Sequence, residues 1–311
     1  MDVFSRDKTL VLRAVCALLI VAGHLALPVG ARWLQPFLEL AACSVAIFLF
    51  ISGYGLAKSY EAKGDTYLDS FGKKRIWKVI WPGLITLLLW YLLVPDPDRN
   101  YLHDLYMTFR RGAPPLAQLW YVIEIVVLYL LFWASYHFLP VRWRVAAIWL
   151  GSLLFIVLTI SLGYNRNWWV HTLAFPAGVS YQYWEDRIIE WMNKRTGRPF
   201  IALGGLLLLF VLLYLSHNPY VWILCYVVVP LACTLLVSLL PVEKIQGPIT
   251  KFIGKVSYEI YLFHGIAIAA LRSSRVFIES DAYYIVCVYM MTLVMAALFL
   301  LVTEIPALAK K

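Results

Sequence analysis

The chain has 311 residues, 62% of them apolar and 14% charged, with a mean hydropathy of +0.75. A water-soluble chain is about half apolar and about a quarter charged, and a globule of this size cannot bury such an excess. The figures exclude a disordered chain, a collagen-like repeat and a secreted disulfide scaffold, and they predict an all-α, polytopic integral membrane protein embedded in a lipid bilayer. The formal net charge of +9 fits basic residues that hold loops on the cytoplasmic side. No basic tract is interleaved with exposed aromatics, so nucleic acid is not an expected partner.

Ten apolar runs are long enough to be read as spans: residues 10–28, 36–57, 79–95, 117–138, 145–163, 168–184, 199–216, 219–240, 252–271 and 282–303. The first is read as a retained span and not as a cleaved signal, because it is long and holds Arg13. Alternating these runs across the membrane places 20 of the 27 Lys and Arg residues on one side. That side is the cytoplasm, with both termini in it. Trp33, Trp168, Trp169 and Trp222 fall at run edges, as an aromatic belt requires. No soluble domain fits between the runs, so the chain reads as a single membrane domain. Its five cysteines lie inside apolar runs without a CxxC pair, so they read as packing residues, and no metal site is expected.

Ionisable groups inside spans are the informative ones, because each is costly unless paired or hydrated. The first run carries Arg13 and His24. Eleven helical residues separate them by about 16 Å along the axis, with the side chains within roughly 20° of one face. A cation at the entrance and an imidazole deeper on the same face suit binding followed by general-base chemistry. An interfacial arginine and a histidine satisfied by a neighbouring helix is the competing interpretation. The second run ends Phe48-Leu49-Phe50-Ile51-Ser52-Gly53-Tyr54. Ser52 and Tyr54 offer hydroxyls to a ligand, or the segment is simply a small-residue helix contact. Next, Lys73, Lys74, Arg75 and Lys78 precede the third run; such clusters suit phosphates as well as topology.

The fourth run opens Trp120-Tyr121 with Glu124 about one turn deeper. Rings above a carboxylate suit a hydroxylated substrate, and an aromatic belt with a paired glutamate remains open as an alternative. His171 opens the sixth run. The ninth carries Ser257-Tyr258-Glu259-Ile260-Tyr261-Leu262-Phe263-His264, with Tyr261 and His264 neighbours at i and i+3.

Taken in order, these segments resemble the membrane acyltransferase-3 family, which includes bacterial polysaccharide and lipopolysaccharide O-acetyltransferases. Arg13 and His24 match its Arg-x10-His pattern. Phe48 to Tyr54 match its Phe-x-x-Ser-Gly-Tyr segment loosely, and Lys74, Arg75, Lys78 and Pro82 match its basic segment. Trp120, Tyr121 and Glu124 match Trp-Tyr…Glu. Ser257, Tyr258, Tyr261, Leu262 and His264 match the late Ser-Tyr-x-x-Tyr-Leu-x-His. Where the family has Arg-x-x-Arg, this chain has Arg75 and Lys78, which keeps the charge and loses one bidentate fork.

The resemblance implies transfer of an acyl group, acetyl from acetyl-CoA, to a hydroxyl of a surface glycan or a lipid-linked precursor, at the cell membrane. It implies His24, Glu124 and His264 as catalytic candidates. Arg13, Ser52, Tyr54, Arg75 and Lys78 are then donor-binding, and Trp120, Tyr121 and His171 acceptor-binding. The competing function on residues alone is a transporter of a glycan intermediate or small metabolite, which ten spans with buried charges would also serve. A non-catalytic scaffold or sensor is a third.

Overall fold

The computed structural model describes residues 5–94, 96, 100–242 and 247–308, without the side chains of Arg6 and of residues 304–308. Pro95, at the end of the third expected span, and the Glu304 side chain fall outside that set. The described residues form an α-helical bundle. Its helices are α1 (Arg6–Val29), α2 (Pro36–Lys63), α3 (Thr66–Asp69), α4 (Trp77–Leu93), α5 (Tyr101–Arg111), α6 (Leu119–Phe138), α7 (Val141–Ser161), α8 (Ala174–Asn193), α9 (Arg198–Tyr214), α10 (Pro219–Leu239), α11 (Pro248–Lys255), α12 (Ser257–Ala270) and α13 (Asp281–Leu308).

Each of the ten apolar runs contains a helix, yet only seven helices among the described residues are long and apolar enough to cross a bilayer, or eight if α8 and α9 make one bent span. The reason lies in the other three runs. The run 168–184 starts in a 3-10 turn and becomes helical only at Ala174. Its helix then meets α9 at an angle of 119°. The run 252–271 is cut at Val256 into α11 and α12. The chain is a multi-pass membrane protein.

Local chemistry sets the ends. The Ser5 hydroxyl accepts from the Lys8 amide to open α1, and Gly30, with φ of 70°, closes it. α2 continues past the expected end at 57 to Lys63, carried by a Lys58–Glu61 pair at 2.9 Å and stopped at Gly64, whose φ is 60°. A π-turn at Gly72–Ile76 feeds α4 and lifts the basic segment. Trp168 and Trp169, expected at a membrane edge, are buried within the protein. The indole of Trp168 donates to the Gly112 carbonyl at 2.7 Å.

Two contacts build the centre. α2 and α8 cross where Gly53 faces the Phe175 carbonyl and Gly178 faces the Phe50 carbonyl. A Cβ on either glycine would stand 2.2 or 2.1 Å from that oxygen. The glycine after Ser52 is thus a helix-crossing residue. α1 lies against both α11 and α12, with Gly254 seated on the Leu10 carbonyl.

Candidate active site

α1 and α12 meet along one face of each. At one end the Arg13 guanidinium donates from Nε to the Ser257 hydroxyl at 3.1 Å. At the other the His24 and His264 rings stand edge to face with centroids 4.6 Å apart. The helical period predicts that Arg13 and His24 share a face, and both find their partners on the same helix, seven residues apart.

Each imidazole is held by its own helix. His24 Nδ1 lies 2.9 Å from the Ile20 carbonyl and His264 Nδ1 lies 3.3 Å from the Ile260 carbonyl. A carbonyl oxygen only accepts, so in both rings Nδ1 carries the hydrogen, and the neutral ring keeps its lone pair on Nε2. The Nε2 of His264 is buried without a hydrogen-bond partner among the described residues. The pair therefore presents basic nitrogens that the protein does not consume.

A cavity of about 600 Å³ opens on the same end of the bundle as Arg13. Arg13, Arg75, Lys78 and Lys255 line it with Ser52, Ser59 and Glu259, and Tyr121, Tyr129 and Tyr261 form its inner wall. Arg75 is steadied by a 3.2 Å hydrogen bond to Ser59 and by the face of Tyr67 at 5.4 Å. Four cations against one carboxylate around a small cavity favour an anion there by Coulomb attraction. Three of these cations were expected from sequence; Lys255 was not.

The cavity stops short of the histidines. The Tyr121 and Tyr261 rings, 4.9 Å apart, close its inner end, and the Tyr261 ring lies 5.8 Å from that of His264. Tyr54 does not reach the cations. Its hydroxyl donates to Glu185 Oε1 at 2.8 Å, while Lys58 holds Glu185 Oε2 at 3.1 Å. Its helix face turns to α8, because Gly53 brings that helix into contact. Glu185 itself lies one residue past the expected run 168–184 and was not singled out from sequence.

On the far side of the tyrosine pair lies an aromatic cluster. Trp120 stacks on His171 with centroids 6.0 Å apart, and His171 meets Tyr226 at 4.5 Å. His171 is buried, and among the described residues neither ring nitrogen has a hydrogen-bond partner of ordinary geometry. Glu124 is fully buried; one oxygen accepts from Thr172 at 2.6 Å and the other has no hydrogen-bond partner among the described residues. Its hydrogen bond thus goes to a threonine and to neither His24 nor His264. Buried polar atoms without partners are uncommon and point to a ligand or water between them.

A model of the acyltransferase-3 family, described as an acyltransferase domain, matches residues 11–302. The chain belongs to that family. The match covers both histidines, the cation cavity and the aromatic cluster of this acyltransferase. Comparison with curated proteins gives no match, and comparison with solved structures gives none either.

Besides Lys255 and Glu185, sequence reasoning passed over Gln118 in the candidate site. Gln118, just before Trp120, sends its side-chain amide to the Leu262 carbonyl at 3.0 Å and accepts from the Tyr261 hydroxyl on its own carbonyl at 2.9 Å. Its side chain fills the space over Gly265, where a Cβ would stand 2.0 Å from its Nε2. Residues 261, 262 and 265 bracket His264, so Gln118 is a positioning residue for that ring. Gln118→Ala is expected to lower kcat about tenfold, with the KM for the donor unchanged, since one buried hydrogen bond of about 1–1.5 kcal/mol is lost away from the cavity. A rise in KM with kcat intact would show that Gln118 serves donor binding instead. No spacing rule marks a lone glutamine whose partner lies 144 residues away.

Proposed function

We propose that this acyltransferase moves an acetyl group from acetyl-CoA to a hydroxyl of a surface glycan or lipid-linked glycan precursor at the cell membrane, with the cation cavity facing the cytoplasm. One observation carries the reading. A single helix face holds Arg13 in the four-cation cavity and His24 against His264, further along the same helix. Phosphate groups of the donor suit Arg13, Arg75, Lys78 and Lys255, with Ser52 along the path of the pantetheine arm. The distribution of basic residues supports the orientation.

The reaction follows from these placements. The acceptor hydroxyl oxygen attacks the thioester carbonyl, His24 Nε2 takes the hydroxyl proton, and the carbon–sulfur bond breaks. The CoA thiolate leaves and accepts a proton from the imidazolium. An acyl-histidine route uses the same nitrogen as nucleophile and is balanced by a second transfer to the hydroxyl. Trp120 and His171, buried and stacked on each other here, would have to separate to take a sugar, and the second oxygen of Glu124 would then suit its hydroxyl. The Tyr121 and Tyr261 rings stand between the cavity and His264, so this reading requires them to part for the thioester to pass.

The test is acetyl transfer by the purified protein in detergent, with labelled acetyl-CoA, together with mass spectrometry of surface glycans from a deletion strain. A lost acetyl mass on deletion, restored by the wild-type chain, is the expected result. Unchanged glycans and no thioester turnover would overturn the reading, and substrate movement without turnover would favour the transporter. Arg75→Ala is expected to raise the KM for acetyl-CoA about tenfold or more with kcat unchanged, because a charge-assisted contact is worth about 1.5–3 kcal/mol. A fall in kcat with normal KM would place Arg75 in the chemistry instead.

A further inference from the structure

Between the third and fourth expected spans, in what sequence alone treats as a loop, lies α5 (Tyr101–Arg111). It is a well-formed helix. The Asn100 side chain caps it by accepting from the amides of Leu102 and His103 at 3.1 and 3.0 Å, and Gly112, with φ of 62°, ends it. At 100° per residue its side chains sort into three sectors. Asp104 and Thr108 face the bundle: Asp104 accepts from the Tyr91 hydroxyl at 3.1 Å and Thr108 is buried. His103 and Arg110 share a polar edge. Leu102, Leu105, Tyr106 and Phe109 occupy one sector about 100° wide, and all are more than half exposed.

Four large apolar side chains in one exposed stripe need a cover. Position identifies it. The first turn of α5 packs on the last turn of the spanning helix α4, where the Tyr91 and Tyr101 rings meet edge to face at 4.8 Å. Leu84, Leu88 and Leu92 of α4 form an exposed row at i, i+4 and i+8, which is the bilayer-facing side of a span. α5 therefore begins at the level where a bilayer-facing row ends. Its apolar sector is flanked by a polar edge and closed by Arg110 and Arg111 in the last turn, a distribution that suits the headgroup boundary.

We propose that α5 is an interfacial helix, with Leu102, Leu105, Tyr106 and Phe109 inserted into the leaflet at the α4 C-terminal end and His103 and Arg110 in the headgroup layer. The helix is not free to drift. The Tyr164 hydroxyl donates to the Phe109 carbonyl and the Trp168 indole to the Gly112 carbonyl, and Trp168 leads directly to His171 and Thr172. An inserted α5 thereby fixes the aromatic cluster at a set depth below the membrane surface. The inference rests on the membrane topology and not on the acyl-transfer chemistry, so it stands or falls separately.

The test uses the full chain with its five cysteines replaced by alanine, reconstituted in phosphatidylcholine–phosphatidylglycerol vesicles. Single cysteines at Leu102, Leu105, Phe109 and, as controls, His103 and Arg110 carry an environment-sensitive fluorophore. Lipids brominated near the headgroup are expected to quench the three stripe probes about twofold or more beyond the controls, with iodide in the water showing the reverse order. Stripe probes as open to iodide as His103 would overturn the proposal. Stripe probes shielded from both quenchers would also overturn it, in favour of a protein partner or a second copy of the chain.

Discussion

Replacing His24 with alanine is expected to lower acyl transfer by roughly 100- to 10,000-fold while leaving the KM for the donor within about twofold. The size follows from the loss of the proton acceptor. The unchanged KM follows from geometry, because His24 does not line the cation cavity. His24→Gln separates chemistry from packing: an amide can still donate to a backbone carbonyl, but it has no basic nitrogen. The same loss in His24→Gln as in His24→Ala assigns the effect to the proton, whereas recovery in His24→Gln would assign it to structure. His264→Ala is expected to lower kcat as well, because it removes the ring that stands 4.6 Å from His24. Normal transfer by a well-expressed His24→Ala chain would end the catalytic reading.

The second large effect concerns folding. Gly178→Ala is expected to destabilise the protein by about 1–3 kcal/mol, read as a lower Tm in detergent. The added methyl carbon would stand 2.1 Å from the Phe50 carbonyl oxygen and 3.0 Å from the Tyr54 amide nitrogen. Backbone cannot swing aside as a side-chain tip can, so α2 and α8 must separate, and the buried pairing of Tyr54 with Glu185 loosens with them. Gly205→Ala is the control. No atom lies within 4 Å of a Cβ there, and alanine in an exposed helix position gains about 0.5–1 kcal/mol over glycine. The two identical chemical changes should move Tm in opposite directions. A shared direction would refute the close-crossing account.

Some of the site was legible before any coordinates. The shared face of Arg13 and His24 is a consequence of helical period within one segment, and it holds in the fold. The basic segment was also legible, since charge next to an apolar run has few other uses. Other features were not. Tyr54 follows Ser52 by two residues, and on a helix that small step turns it to another face, toward Glu185 of α8. α5 escaped notice because an 11-residue amphipathic stretch is too short and too polar to score as a span. The burial of Trp168 and Trp169 was not legible either, because composition does not show whether a ring near the edge of an apolar run faces lipid or packs inside the protein.

By itself the amino-acid sequence determined that this protein lives in a bilayer, and it determined which side chains point the same way along a single helix. Both depend on local quantities, apolar content and a rise and turn per residue, that need no knowledge of neighbours. Only the tertiary structure decided that His24 meets His264, 240 positions further along the chain, that Gln118 wedges over Gly265, and that Tyr121 and Tyr261 close the inner end of the cation cavity. Which helix lies against which is settled by packing among surfaces that are all apolar. In such a chain the decisive signals are a few glycines that allow backbones to touch, and hydropathy is blind to them.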